Sequence, residues 1–397
     1  MKTLHWIVLI GLFAGTPAIL TAAEATLESV LKPLVDAHKG KVAIAVKHLD
    51  TGVSYNLNAT EPMPTASLIK LAVMIETYFQ AADHKIDLAK TITLKKADKV
   101  PGSGILTYHF SDGTTFPLVD AVHLMIVYSD NTATNLVLDQ IGLDSTAKRM
   151  ESLGMPNTKI HSKVYRRDTS IFPDRSKKFG LGSTTAADMI ALCEKLHKKE
   201  LVSKEACEAM LEHLKACDDK DKFPRFLPPG VKVAFKTGSV DEIRTAAGIL
   251  YTPAGPIALC VLTKDNEDKR YAPDNAGNRL CAQVARSVYD FFNPPQARKK
   301  GRGRENRRGE TCRSVAPGRR RENPRGVRSR VQNRPDDRLG DSSTRFEPRT
   351  IRHRRILHAE LGRSQNEPIR SRSFFSMKSS FYKESSDEIS RQVEARA

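Results

Sequence analysis

No two cysteines of this sequence stand at C-x-x-C spacing, and its eleven histidines form neither H-x-H nor H-E-x-x-H. Those are the spacings by which thiolates and imidazoles gather around a zinc ion, so a metallo-hydrolase is excluded and neither a metal nor a cofactor is expected. The six cysteines are Cys193, Cys207, Cys217, Cys260, Cys281 and Cys312. Cys260, inside the apolar run IALCVLT, reads as a buried core thiol, and spacing fixes no disulfide pairing for the other five.

Long apolar runs are equally scarce. The one example, WIVLIGLFAGTPAIL, follows Lys2 and precedes the small residues Thr21, Ala22 and Ala23. Gly11, Gly15 and Pro17 interrupt it, and it falls short of the roughly 18 to 20 apolar residues that a membrane span needs. Residues 1–23 therefore read as a secretory signal peptide, with a secreted or periplasmic mature protein and no membrane span after cleavage.

Apolar residues become sparse again after FFNPP at 291–295. From Arg298 onward 28 Lys and Arg face 13 Asp and Glu, so the first 297 residues carry only +3 of the formal +18. Residues 296–397 cannot bury enough surface to offset the entropy of folding, and disorder is expected there. Clustered arginines suit contact with an anionic polymer; nucleic acid is not an expected partner, and a stretch with no selected role fits equally well.

What remains, 24–295, has the content of one domain. Residues 42–57 are two alternating runs around Asp50, Thr51 and Gly52, a β-hairpin pattern. From Ser67 to Gln80, with Pro64 and Thr65 at its start, Leu68, Leu71, Val73, Ile75 and Tyr78 fit a mostly buried helix. Leu118, Val122, Met125 and Ile126 form a second helical stripe ending near Tyr128, and TATNLVLDQIG restarts a helix that stops at Gly142. After an irregular stretch at 156–183 comes the helical TTAADMIALCEKLHKK. Three strands follow, VKVAFKTGSV, TAAGILYTP and PIALCVLTKD, then the closing helix NRLCAQVARSVYDFF. The expected fold is α+β: a five-stranded antiparallel sheet flanked by helices, with an all-helical lobe beside it.

Ser67 and Lys70 stand three apart at the start of the first long helix. A lone S-x-x-K means nothing, since about one or two arise by chance in a chain of this length; Ser145 and Lys148 are such a pair. Ser67 and Lys70 have company in order: SDN at 129–131, at a helix junction, and KTG at 236–238, on a strand. With these three motifs the chain resembles the class A serine β-lactamases and their penicillin-binding relatives, from about residue 27 to residue 293.

The chemistry suits the roles that the resemblance implies. A serine hydroxyl must hand its proton to a base, and i, i+3 spacing brings the Lys70 amine onto the face of Ser67. Burial and the second cation, Lys236, would lower the basicity of Lys70 so that it can act neutral. Ser129 would pass a proton to the departing nitrogen, and Asn131 would hold Lys70 and the substrate amide. The backbone N–H groups of Ser67 and Ser239 would form the oxyanion hole. The strand 232–240 would take the substrate as an added strand, with room left by Gly238. Lys236, Thr237 and Ser239 would face a carboxylate, joined by Arg244.

One departure stands out. Class A enzymes usually carry a glutamate, with an asparagine four residues on, between SDN and KTG to activate the deacylating water. Here HSKVYRRDTSIFPDRSKKFGLGSTT, 161–185, has neither. Asp168 is the nearest candidate by spacing and Asp174 the next, both among Arg166, Arg167 and Arg175. The expectation is a monomeric serine β-lactamase that opens the β-lactam amide through an acyl-enzyme on Ser67. The alternatives are a D-alanyl-D-alanine peptidase, a penicillin-binding or esterase-type hydrolase acting on peptidoglycan-like peptides and releasing its acyl group slowly, or a non-catalytic acylated sensor.

Overall fold

The computed structural model describes residues 26–294. The signal peptide, the arginine-rich tail from 296 and Cys312 lie outside the described residues.

Five strands make the main sheet: β1 (Lys41–His48), β2 (Ser54–Leu57), β3 (Lys232–Val240), β4 (Ile243–Thr252) and β5 (Gly255–Lys264). Their order is β2-β1-β5-β4-β3, antiparallel throughout, so the first hairpin joins the last three strands as expected. Period-2 alternation divides the strands between two cores. Val42, Ile44 and Val46 meet Leu27 and Leu31 of helix α1 (Leu27–Asp36) and Leu280, Val284 and Val288 of the closing helix. Ala43, Ala45, Ala247 and Cys260 face the helical lobe. With helices on both faces, β1 and β5 are buried almost continuously instead of showing one wet side.

The lobe is built around α2 (Lys70–Ala82), ten of whose thirteen residues are buried, which makes it the central helix of the bundle. Around it pack α3 (Leu118–Val127), α4 (Asn131–Ile141), α5 (Leu143–Ser152) and, beyond the short α6 (Pro173–Phe179), α7 (Ala186–His197) and α8 (Lys204–Lys215). The chain ends its described part in α9 (Ala276–Phe292).

The expected irregular stretch at 156–183 is more ordered than its polarity suggests. Pro173 sits at the first position of α6 and Gly180, at φ 70°, ends it; the short strand Gly182–Thr184 pairs with Lys159–Ile160 on one side and Met63–Pro64 on the other. Helices α1 and α8 have no counterpart in the expectations. The latter is capped by Ser203, whose side chain accepts the Ala206 N–H, and buries Cys207, Met210, Leu211 and Leu214. All five described cysteines are unpaired, and Cys260 is a fully buried core thiol.

Candidate active site

Ser67 does not begin the α-helix. It lies in a 3₁₀ turn, Ala66–Ile69, that runs directly into α2 at Lys70, after Ala66 adopts φ 45°. A β-branched-free residue in the left-handed region is strained, and packing holds it there. Thr65 N–H donates to Gly182 O at 3.0 Å, and Thr245 Oγ1 donates to Thr65 O at 2.8 Å. Gly238 completes the clamp. A Cβ there would overlap the Thr65 carbonyl oxygen and lie 2.9 Å from the Leu68 nitrogen, so the space it leaves is filled by the serine's own turn rather than kept for a ligand.

Lys70 is 0% exposed, and its Nζ donates to Ser129 O at 2.7 Å, Asn131 Oδ1 at 2.9 Å and Ser129 Oγ at 3.2 Å. None of these three bonds goes to Ser67. Burial, then the nearby Lys236 charge, push the Lys70 amine well below the ordinary lysine range, with Asp130 opposing. Lys236, also 0% exposed, donates to Ser129 Oγ at 3.1 Å and to Thr237 O at 2.8 Å. Burial pushes it down to about 8, partly offset by Cys217 and Asp219.

The three residues SDN hold this geometry from the junction between α3 and α4. Ser129 takes φ 52°. Asp130 caps α4 through the Ala133 N–H at 2.8 Å, and its second oxygen accepts Ile105 N–H and Leu106 N–H at 2.7 and 2.9 Å. Asn131 Nδ2 donates to Pro101 O at 3.0 Å. The loop 100–106 is thereby fixed as one wall of the site.

On the strand side, Tyr128, Ser129, Cys217, Asp219, Lys236 and Thr237 help line a cleft of about 310 Å³. Arg244 corrects the expectation made for it. It pairs with Ser239 in the β3–β4 register and shares the face of Thr237 and Ser239, while its neighbour Thr245 lies on the face of Lys236 and Gly238; its own bonds, not parity, decide its role. The Arg244 guanidinium, in a residue 1% exposed, donates to the carbonyls of Asp241, Ile243 and Arg270 at 2.7 to 2.8 Å and lies over the Tyr271 ring. It ties the β3–β4 turn to the 268–271 loop and is not a ligand-facing cation.

Asp168 is a second correction. Its carboxylate is 63% exposed and forked on Arg166 at 2.9 and 3.1 Å, which holds it below its ordinary range; no bond joins it to Lys70, Ser129 or Asn131. Asp174 is exposed as well. What the fold fixes over the lobe is instead Val164, whose N–H and C=O are both gripped by the Asn135 side chain at 2.8 and 3.0 Å. The pair Asp219 and Lys222, beside Thr237 and Ser239, was not foreseen; its only sequence signal is the charge-dense CDDKDK at 217–222. No group of three or more His, Cys, Asp or Glu side chains able to hold a metal occurs among the described residues.

A five-stranded antiparallel sheet against a helical lobe, with S-x-x-K, SDN and KTG meeting at the seam, defines the β-lactamase and transpeptidase fold. The Beta-lactamase enzyme family profile matches residues 26–292, and the chain belongs to that family. Among curated relatives it is 23% identical over 283 residues to the extended-spectrum β-lactamase PER-1 of Pseudomonas aeruginosa, covering 68% of this chain and 89% of that one. It is 28% identical over 255 residues to a β-lactamase of Bacillus licheniformis, covering 62% and 78%. Among solved structures, a β-lactamase from Sphaerobacter thermophilus matches at 29% identity with a TM-score of 0.61, over 68% of this chain and 99% of that one. PBP-A shares the fold at 23% identity and a TM-score of 0.59, over 67% and 95%.

Proposed function

We propose that this protein is a serine hydrolase that opens the amide of β-lactams through an acyl-enzyme on Ser67. The observation that carries this reading is the continuous chain Lys70 Nζ, Ser129 Oγ, Lys236 Nζ, buried beside the turn that presents Ser67. Ser67 Oγ attacks the lactam carbonyl, and neutral Lys70 takes its proton as the C–O bond forms. The backbone N–H groups of Ser67 and Ser239 stabilise the oxyanion. As the C–N bond breaks, Ser129 donates its proton to the ring nitrogen and takes one back from the Lys70 ammonium along their 3.2 Å bond, which leaves Lys70 neutral again. Ser129 is suited to this because two ammonium donors occupy its lone pairs and leave its own proton to point into the cleft.

Release of the acyl group needs a water and a base, and the Asp168 carboxylate is exposed and paired with Arg166. That placement favours a second reading, a penicillin-binding member of the family whose acyl-enzyme is long-lived. A mutant of PBP-A, which shares this fold, is known as an acyl-enzyme complex with penicillin G. The reading of residues 1–23 as a signal peptide supports export, and no helix of the described residues is long and apolar enough to cross a membrane.

The test is to mix the protein with a chromogenic cephalosporin and follow turnover and intact mass together. Steady turnover lost in Ser67→Ala supports the lactamase; one equivalent of product and a stable adduct supports the second reading. Absence of any adduct or turnover would sink both.

A further inference from the structure

The acid and base behind the end of β3 have no part in the chemistry above. Asp219 and Lys222 lie in the connection from α8 to β3. Lys222, whose side chain is 3% exposed, donates from Nζ to Asp219 Oδ2 at 2.9 Å and to Ser239 Oγ at 3.1 Å. The other Asp219 oxygen accepts the Asp221 and Lys222 backbone N–H groups at 3.0 and 3.1 Å, which fixes the carboxylate in place. Burial works against its charge, but the Lys222 ammonium outweighs this and, with the Thr237 hydroxyl, holds Asp219 at about 2.

Thr237 and Ser239 are the hydroxyls that, with Lys236, would receive a ligand's carboxylate. Lys222 already donates to Ser239, and its charge is matched by Asp219. Arg244, which would have tipped the balance, is committed to backbone carbonyls. A carboxylate and a part-buried aspartate sharing one corner of the cleft disfavour each other.

We infer that Asp219 is a specificity-determining residue: by compensating Lys222 behind Thr237 and Ser239, it lets the subsite at the end of β3 accept uncharged groups, such as esters or amides, nearly as well as carboxylates. This rests on the β-lactam reading given above. Specificity is a difference between two affinities, so removing the opposing charge should change the carboxylate's binding and leave the neutral ligand's alone.

The experiment compares a penicillin with its methyl ester on the full chain. Asp219→Asn keeps the shape and can still accept both backbone N–H groups. It should raise the ratio of kcat/KM for acid over ester by about tenfold, through KM of the acid. Asp219→Glu should return the ratio toward the parent, and Lys222→Gln should lower it. Calorimetry of the same two ligands on Ser67→Ala, with and without Asp219→Asn, reads the ratio without any acylation. If the parent forms no adduct, the β-lactam reading fails while the calorimetric ratio still decides this one. An acid-to-ester ratio that falls, or stays within about twofold of the parent in a variant with unchanged melting temperature, overturns the role of Asp219.

Discussion

Lys70 and Lys236 meet at one atom: both ammonium groups reach Ser129 Oγ, at 3.2 and 3.1 Å. Both are fully buried and lose hydration, and the Lys236 charge adds to the effect on Lys70, so both amines are weaker bases than free lysine. Their proposed duties are opposite. Lys70 must be neutral to take a proton, so its lowered pKa favours activity as pH rises toward neutrality. Lys236 must stay charged to attract an anion and polarise Ser129, so kcat/KM should decline as pH rises through about 8, where Lys236 gives up its proton. Lys236→Arg, whose guanidinium does not titrate in this range, should move that descending limb upward. A limb left in place would assign it to another group.

Replacing Lys70 with Met tests the base directly. The apolar stem is kept and the proton acceptor lost, so acylation followed by intact mass should slow by about 10²–10⁴-fold. Slowing of less than about threefold would remove Lys70 from proton transfer, the fold being checked by circular dichroism.

Gly238 sits against the Thr65 carbonyl, so Gly238→Ala should force the Ser67 turn and β3 apart. Overpacking of this kind destabilises by about 1–3 kcal/mol, and backbone rather than a flexible side chain is the obstacle here. Thermal denaturation should show the loss, together with slower acylation because Ser67 moves with its turn. An unchanged melting temperature would mean that β3 can shift without cost.

The parts legible in the sequence were those whose signal is local. S-x-x-K, SDN and KTG are short, and each sits where a helix start, a helix junction and a strand can be read from apolar period alone. The sheet was legible because β-branched runs alternate between two cores. Arg244 shares a face with Thr237 and Ser239, but its guanidinium is taken up by carbonyls of the β3–β4 turn and the 268–271 loop, contacts that no sequence pattern marks. Asp168 is found in an exposed pair with Arg166, which residue spacing along a loop does not reveal. Asp219 and Lys222 act through space on Thr237 and Ser239, which lie fifteen or more positions downstream, and no periodicity marks such a contact.

Asp168 gives a prediction with a small expected effect. Its carboxylate is exposed and paired with Arg166, so Asp168→Asn should leave the rates of adduct formation and release within about twofold of the parent. Slow release confined to the variant would bring the 165–170 loop back as the source of the deacylating base.

Arg244→Lys separates a structural clamp from a ligand contact. The guanidinium spans carbonyls at 241, 243 and 270 at once, a fork that one ammonium on a flexible stem cannot reproduce. Part-buried carbonyls left without a donor around a buried side chain destabilise by about 1–3 kcal/mol in all, so the melting temperature should fall by several degrees. KM for a carboxylate-bearing substrate should stay within about twofold, because the side chain points to the 268–271 loop and away from Lys236. The reverse pattern, an unchanged melting temperature with KM raised about tenfold, would return Arg244 to the binding site, since lost uniform binding raises KM without touching the fold.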